Sequence, residues 1–224
     1  MKKQSILTKQ QLLFLKLFGQ EKVLSKRFYL SGGTTLAEYY IPYRYSEDLD
    51  FFSEDEIDSG QISAFMQKIK KELGFSSYKF NTSFNRNLFF LSFPQNYQLK
   101  LEFTYYPFPR IEKKMISTEG IEVDSILDIA VNKLFTIYQK PRSRDFIDLY
   151  MIQQKHHFSI DDLIKKAKVK FDWHVDPIKL GSQFLLSTEL KDYPNLIEKI
   201  PDSSWQSFWV NEAARLKNKV IGKG

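Results

Sequence analysis

Apolar residues recur along this chain at two different periods, and the change of period marks its organisation. Residues 8–18 are amphipathic at helical spacing, and Thr8 with Gln11 forms a capping-box pattern at their start. Arg27–Ser31 reads as a strand broken by Gly32-Gly33, with Thr34–Tyr40 as a short helix after it. Asp48–Phe52 alternates acidic and apolar residues, the period of a strand with one buried face. Residues 61–73 place Ile62, Phe65, Met66, Ile69 and Leu73 on one helical face, closed by Gly74. Strands are predicted near 76–82, 87–93 and 98–106, ended by Pro107 and Pro109. From there the period is helical. Ser125 and Asp128 form a second capping-box pattern before a helix that runs to about Lys140, and further helices are expected over 144–154, 159–168, 177–187 and 203–220. The expected fold class is therefore α/β: a mixed sheet followed by a helical bundle, with residues 1–118 as the α/β core and 119–224 as the helical domain.

Composition narrows this picture. The chain has 224 residues, of which 42% are hydrophobic and 16% aromatic, ample for a packed core. It has no cysteine, which excludes disulfides and cysteine-based zinc sites. The start, MKKQSIL, is charged and then apolar like a signal peptide. Lys9, Gln10, Gln11 and Lys16 interrupt the apolar stretch, however, and no small-residue cleavage site follows. No run approaches the roughly 18 apolar residues of a membrane span, so a soluble, cytoplasmic protein is expected. The formal net charge of +6 favours polyanionic partners such as nucleotides or nucleic acid.

The residues that suggest chemistry lie in SGGTTLAEYYIPYRYSEDLDFF, residues 31–52. Asp48 and Asp50, at i and i+2 of a strand, point to the same face. Two adjacent carboxylates repel unless a cation sits between them, and their hard oxygens suit Mg²⁺ or Mn²⁺; the alternative is a solvated strand edge. Gly32-Gly33 followed by Thr34 and Thr35 has the form of an anion-binding corner, because glycine lets backbone N–H groups approach phosphate and a helix N-terminus adds a favourable dipole. A plain tight turn is the other reading. In QLKLEFTYY, residues 98–106, Glu102 lies on the polar face of a half-buried strand and is a candidate third metal ligand or general base. Its alternative is an exposed glutamate beside Lys100. The three histidines have no metal-ligand spacing. Trp205, Phe208, Trp209, Ala213, Leu216 and Val220 form a helical stripe best read as core. Lys165, Lys166, Lys168 and Lys170, with Arg215, Lys217 and Lys219, line either solvated faces or an RNA-backbone path.

Gly32-Gly33-Thr34-x-Leu36, followed by Arg44-x-Ser46-x-Asp48-Leu49-Asp50-Phe51, resembles the AbiEii family of nucleotidyltransferases, the toxins of type IV toxin–antitoxin pairs within the polymerase-β-like superfamily. Asp128-Ile129-Ala130-x-x-Lys133-Leu134 and Arg144-Asp145-Phe146-x-Asp148-Leu149-Tyr150 resemble that family's downstream pattern. The superfamily's usual Gly-Ser turn is Gly32-Gly33 here. The resemblance implies a polymerase-β-like mixed sheet and a metal-dependent transfer of NMP from an NTP to an acceptor. It implies Asp48 and Asp50 as metal-binding and catalytic residues, with Glu102, from the strand pattern above, as the expected third. Nucleotide binding would fall to Gly32, Gly33, Thr34, Arg44, Ser46, Lys133 and Asp148. It also implies an RNA acceptor such as a tRNA 3′ end, and an antitoxin as functional partner. A small-molecule or protein hydroxyl as acceptor, or a non-catalytic NTP- or RNA-binding module, are the alternatives.

Overall fold

The computed structural model describes residues 5–222; the charged start at residues 1–4, on which the signal-peptide comparison turned, lies outside the described residues. The fold divides into two compact units, one comprising the chain up to Pro109 together with Lys113–Ser125, the other Arg110–Glu112 together with the chain from Ile126 onward.

In the first unit the opening helix α1 (Lys9–Gln20) has the predicted capping box: Thr8 accepts from the Gln11 N–H while the Gln11 side chain accepts from the Thr8 N–H. A single turn, α2 (Lys22–Ser25), follows, and Leu24 O accepts from Arg27 N and Phe28 N. That turn takes up the start of the predicted strand, so β1 is only Tyr29–Ser31. Then come the short helix α3 (Gly32–Thr35), a π-helical turn over Leu36–Tyr40, and the strand β2 (Asp48–Ser53). The helix α4 (Ser59–Leu73) is capped by Asp58 and stops at Gly74 with φ +84°, the left-handed conformation that favours glycine. After it run β3 (Ser77–Ser83), β4 (Arg86–Ser92), β5 (Gln98–Tyr105), β6 (Met115–Ile116) and β7 (Glu122–Val123). Among the described residues these form one mixed sheet in the order β3-β4-β5-β2-β1-β7-β6, with β2 parallel to β5 and antiparallel to β1.

The buried face of this sheet is aromatic. Phe51 stacks on Phe103 with ring centroids 4.8 Å apart, and Phe18 of α1 lies 4.6 Å from Phe51 and 5.6 Å from Phe65 of α4. Strand alternation then places Asp48 and Asp50 on the opposite face from Leu49 and Phe51, both fully buried. Because Asp50 lies beside Glu102 and Asp48 beside Lys100 in register, β2 and β5 present one row of charged side chains.

The second unit is helical: α5 (Ile126–Gln139), α6 (Ser143–His156), α7 (Ile160–Phe171), α8 (Pro177–Leu185) and α9 (Asp202–Ile221). Trp205, Trp209, Ala213 and Leu216 of the predicted stripe are buried, and Trp209 donates to Phe146 O at 3.1 Å. Val220, at the end of the stripe, is exposed. Lys170 corrects the sequence expectation of a surface cation. It is fully buried and its Nζ lies 2.7 Å from Asp128 Oδ1. Asp128 also accepts from Ile111 N (2.8 Å) and Glu112 N (3.1 Å), which draws residues 110–112 into the helical unit.

Removing one member of this buried pair leaves the other charge unpaired. Lys170→Ala is expected to destabilise the protein by about 3–5 kcal/mol, read by urea unfolding, whereas Lys166→Ala on the same helix is expected to change stability by less than about 0.5 kcal/mol.

Candidate active site

Each glycine of the corner between β1 and α3 is dictated by a different neighbour. Gly32 has φ +75°, and a Cβ there would lie 2.4 Å from Asp50 Oδ2. Position 32 therefore requires glycine both for its backbone and for the carboxylate packed against it. A Cβ on Gly33 would lie 1.9 Å from Arg44 Nη2, so a guanidinium occupies the space that a serine at this turn would fill. Arg44 is buried, and it is braced by Nε donating to Tyr43 Oη at 3.2 Å and Nη1 donating to Tyr45 O at 3.0 Å. The corner thus has Asp50 on one side and a fixed cation on the other.

The hydroxyls nearby are committed within the fold. Thr34 Oγ1 donates to Asp48 O, and Thr35 Oγ1 donates to Ser31 O at 2.7 Å. Ser31 Oγ donates to the buried Asp124 Oδ2 at 2.6 Å. Thr34 thereby fixes the start of β2 relative to the corner. Both threonine hydroxyls are thus committed to backbone carbonyls. Ser46 contributes its carbonyl: Gln11 Nε2 donates to Ser46 O (3.0 Å) and Glu47 O (3.1 Å), tying the segment before Asp48 to α1.

The carboxylates alternate with cations. Lys100 Nζ pairs with Asp48 Oδ2 and lies 3.8 Å from Glu102 Oε2. Arg86, on β4, forks onto Glu102 with Nε–Oε1 and Nη2–Oε2 both at 2.6 Å, and Thr104 Oγ1 donates to Glu102 Oε1 at 3.1 Å. Burial alone would push the Glu102 carboxyl up. The hydrogen bonds and charge of Arg86, with Lys100, outweigh it and hold the group below the usual carboxylate range. A carboxylate so held is a weak proton acceptor.

Asp48, whose Oδ2 also carries Lys100, and Asp50 supply two oxygen donor groups of the kind a hard divalent cation takes. Asp48 and Asp50 put their oxygens on one strand face, and Mg²⁺ commonly binds one or two carboxylates and completes its shell with water and phosphate. Glu102 carries the Arg86 fork on both oxygens, and among the described residues no three His, Cys, Asp or Glu side chains are gathered as a metal-binding group.

Lys133 and Asp148 meet in the helical unit. Lys133 Nζ lies 2.6 Å from Asp148 Oδ2 and 2.7 Å from Asp145 Oδ1, and Asp145 also accepts from Arg142. Burial pushes the Asp145 carboxyl up, but Lys133 and Arg142 together hold it below its ordinary value. Sequence reasoning did not single out Arg86, Arg142 or Asp124. Arg86 was detectable only through strand register, which sets it opposite Thr104, two residues beyond Glu102.

The chain matches the family model for the AbiEii nucleotidyl transferase toxin of type IV toxin–antitoxin systems over residues 16–217. It is 32% identical over 158 residues to an uncharacterized protein of Aquifex aeolicus, covering 67% of this chain and 71% of that one. Two solved Helicobacter pylori structures share its fold: JHP933 (TM-score 0.60, 20% identity, 97% and 96% of the two chains) and a protein provisionally assigned as a nucleotidyltransferase (TM-score 0.61, 20% identity, 97% and 99%). The α/β mixed sheet is thus a nucleotidyltransferase-type fold. No helix among the described residues is long and apolar enough to cross a membrane.

Two outcomes follow from the packing. Gly32→Ala is expected to lose about 1–3 kcal/mol from its left-handed backbone alone, and Gly33→Ala, which must displace the buried Arg44 guanidinium from its bonds to Tyr43 and Tyr45, is expected to destabilise as well; urea unfolding of the two variants reads both losses. Because the Asp145 carboxyl is lowered in the folded state, its contribution to stability is complete above the ordinary carboxylate range and is lost as pH falls through the lowered value. Arg142→Ala removes part of that lowering, so its acid-unfolding midpoint is expected to move to higher pH than that of the unmodified protein.

Proposed function

This chain belongs to the AbiEii family of type IV toxin nucleotidyltransferases, and from that premise we propose that it transfers an NMP from an NTP to an RNA acceptor such as a tRNA 3′ end, using Mg²⁺ or Mn²⁺ held by Asp48 and Asp50. The observation that carries the reading is the seat of the Asp50 carboxylate against Gly32, which sets a metal-ligating group beside a corner whose backbone can approach phosphate. When bound, the metal ion stabilises negative charge on the transferring phosphate and on the pyrophosphate that leaves.

The protein's own part is positioning. Gly32 and Gly33 offer backbone N–H groups to the triphosphate, and Arg44, braced by Tyr43 and Tyr45, sets a cation at the same corner. Thr34 and Gln11 fix the approach of Asp48 through its own carbonyl and those of Ser46 and Glu47. Glu102 takes the role of anchor for Arg86; service as a third metal ligand requires the Arg86 fork to turn away. On the resemblance of their segments, Lys133 is assigned as a phosphate-binding cation and Asp148 as its anchor. The family name implies an antitoxin partner, and the net charge of +6 supports a polyanionic acceptor.

Incubation with each α-³²P-labelled NTP, Mg²⁺ and total cellular RNA tests the proposal. Label is expected on a tRNA-sized band, reduced about 100-fold or more in the Asp48→Ala/Asp50→Ala variant. Label on a polypeptide or a small molecule instead would overturn the RNA acceptor. No transfer to any acceptor, with NTP bound equally by wild type and variant, would overturn the active site itself.

A further inference from the structure

The tip of the β3–β4 hairpin carries an aromatic side chain that folding does not account for. Ser83 pairs with Arg86, so Phe84 and Asn85 are the two loop residues. Phe84 has φ +53°, at the first position of a two-residue hairpin loop, where glycine is the usual occupant. Its ring is fully exposed and recovers nothing by burial. Folding alone would favour Gly or Asn at this position.

The tip is also fixed in place. Asn85 Nδ2 donates to Tyr105 O at 2.6 Å, and Tyr105 N donates to Asn85 O at 2.8 Å, fastening the loop to the end of β5. Two residues from Phe84, Arg86 is anchored on Glu102, yet 46% of its side chain is exposed. Register places Arg86 on the same face as the carboxylates: Arg86 lies opposite Thr104, and Thr104 lies beside Phe52, on the Asp48–Asp50 face. On that face the exposed Lys79 of β3, the half-buried Phe90 of β4 and Lys100 of β5 lie side by side. One ring, Phe90, thus lies between two cations, Lys100 and Lys79, from the carboxylate row out to the sheet edge.

We infer that the β3–β4 hairpin tip is the acceptor-binding element of this enzyme, with Phe84 as a stacking platform for an unpaired base and Arg86 as the contact to its phosphate. The partner is single-stranded RNA. An exposed ring two residues along the chain from an anchored guanidinium can take a base of any identity on its face while the cation holds the backbone, the combination that binds single strands without reading sequence. A folded protein acceptor can offer a ring but no regular line of phosphates for the guanidinium. This inference rests on the nucleotidyltransferase reading with an RNA acceptor.

The test is fluorescence anisotropy of an end-labelled single-stranded oligoribonucleotide titrated with the full chain, as wild type, Phe84→Ala, Phe84→Trp and Arg86→Ala. Mg·ATP affinity and the melting temperature are measured on the same preparations. Phe84→Ala is expected to weaken oligonucleotide binding roughly 10-fold with melting temperature and Mg·ATP affinity kept. Phe84→Trp is expected to bind at least as tightly as wild type. Arg86→Ala is expected to weaken binding and to lower the salt dependence by about one counterion. If Phe84→Ala binds the oligonucleotide like wild type, the inference is overturned while the RNA acceptor stands. If wild type itself binds no oligonucleotide and labels protein instead, the acceptor reading fails and takes the inference with it.

Discussion

Leu49 and Phe51 reach into the aromatic core while Asp48 and Asp50, interleaved with them, point the other way, and every feature of the candidate site depends on that two-sided strand. The pleat gives the alternation. The core holds it in register, because a slip by one residue would drive two carboxylates into a packing of Phe18, Phe51, Phe65 and Phe103. The aromatic packing that stabilises the first unit is therefore also what fixes the direction of its acidic groups. Glycine at position 32 completes the arrangement by leaving room for the Asp50 carboxylate.

Around this strand the charges are balanced within the site. Asp48 has Lys100, Glu102 has Arg86, and the Arg44 guanidinium sits over Gly33. Side-by-side carboxylates without such partners would repel and would be driven toward protonation. Of this row, the Glu102 carboxyl is held below the usual carboxylate range by the Arg86 fork and the Lys100 charge. In the helical unit Lys133 between Asp145 and Asp148, and Lys170 against Asp128, follow the same rule at greater burial, where an unpaired charge costs far more.

Local signals in the sequence were sufficient wherever the cause was local. Thr8 with Gln11 marked the start of α1, Gly74 the end of α4, and alternation the faces of β2. Glu102 was legible as a charged residue on a half-buried strand, but its partner was not. Arg86 is 16 residues away and meets it only through the β4–β5 register. Lys170 read as one of several surface lysines because nothing near it in sequence names Asp128, 42 residues earlier. The reason for two glycines, rather than Gly-Ser, likewise lay in Arg44 and Asp50, which only the fold brings to the corner.

The most direct test of the site is Mn²⁺ binding followed by electron paramagnetic resonance in the presence of a non-hydrolysable NTP. Wild-type protein is predicted to bind Mn²⁺ in an NTP-dependent way, Asp48→Asn/Asp50→Asn is predicted to lose that binding, and Glu102→Gln is predicted to retain it. Unchanged Mn²⁺ binding in the double variant would contradict the assignment of β2 as the metal-holding strand.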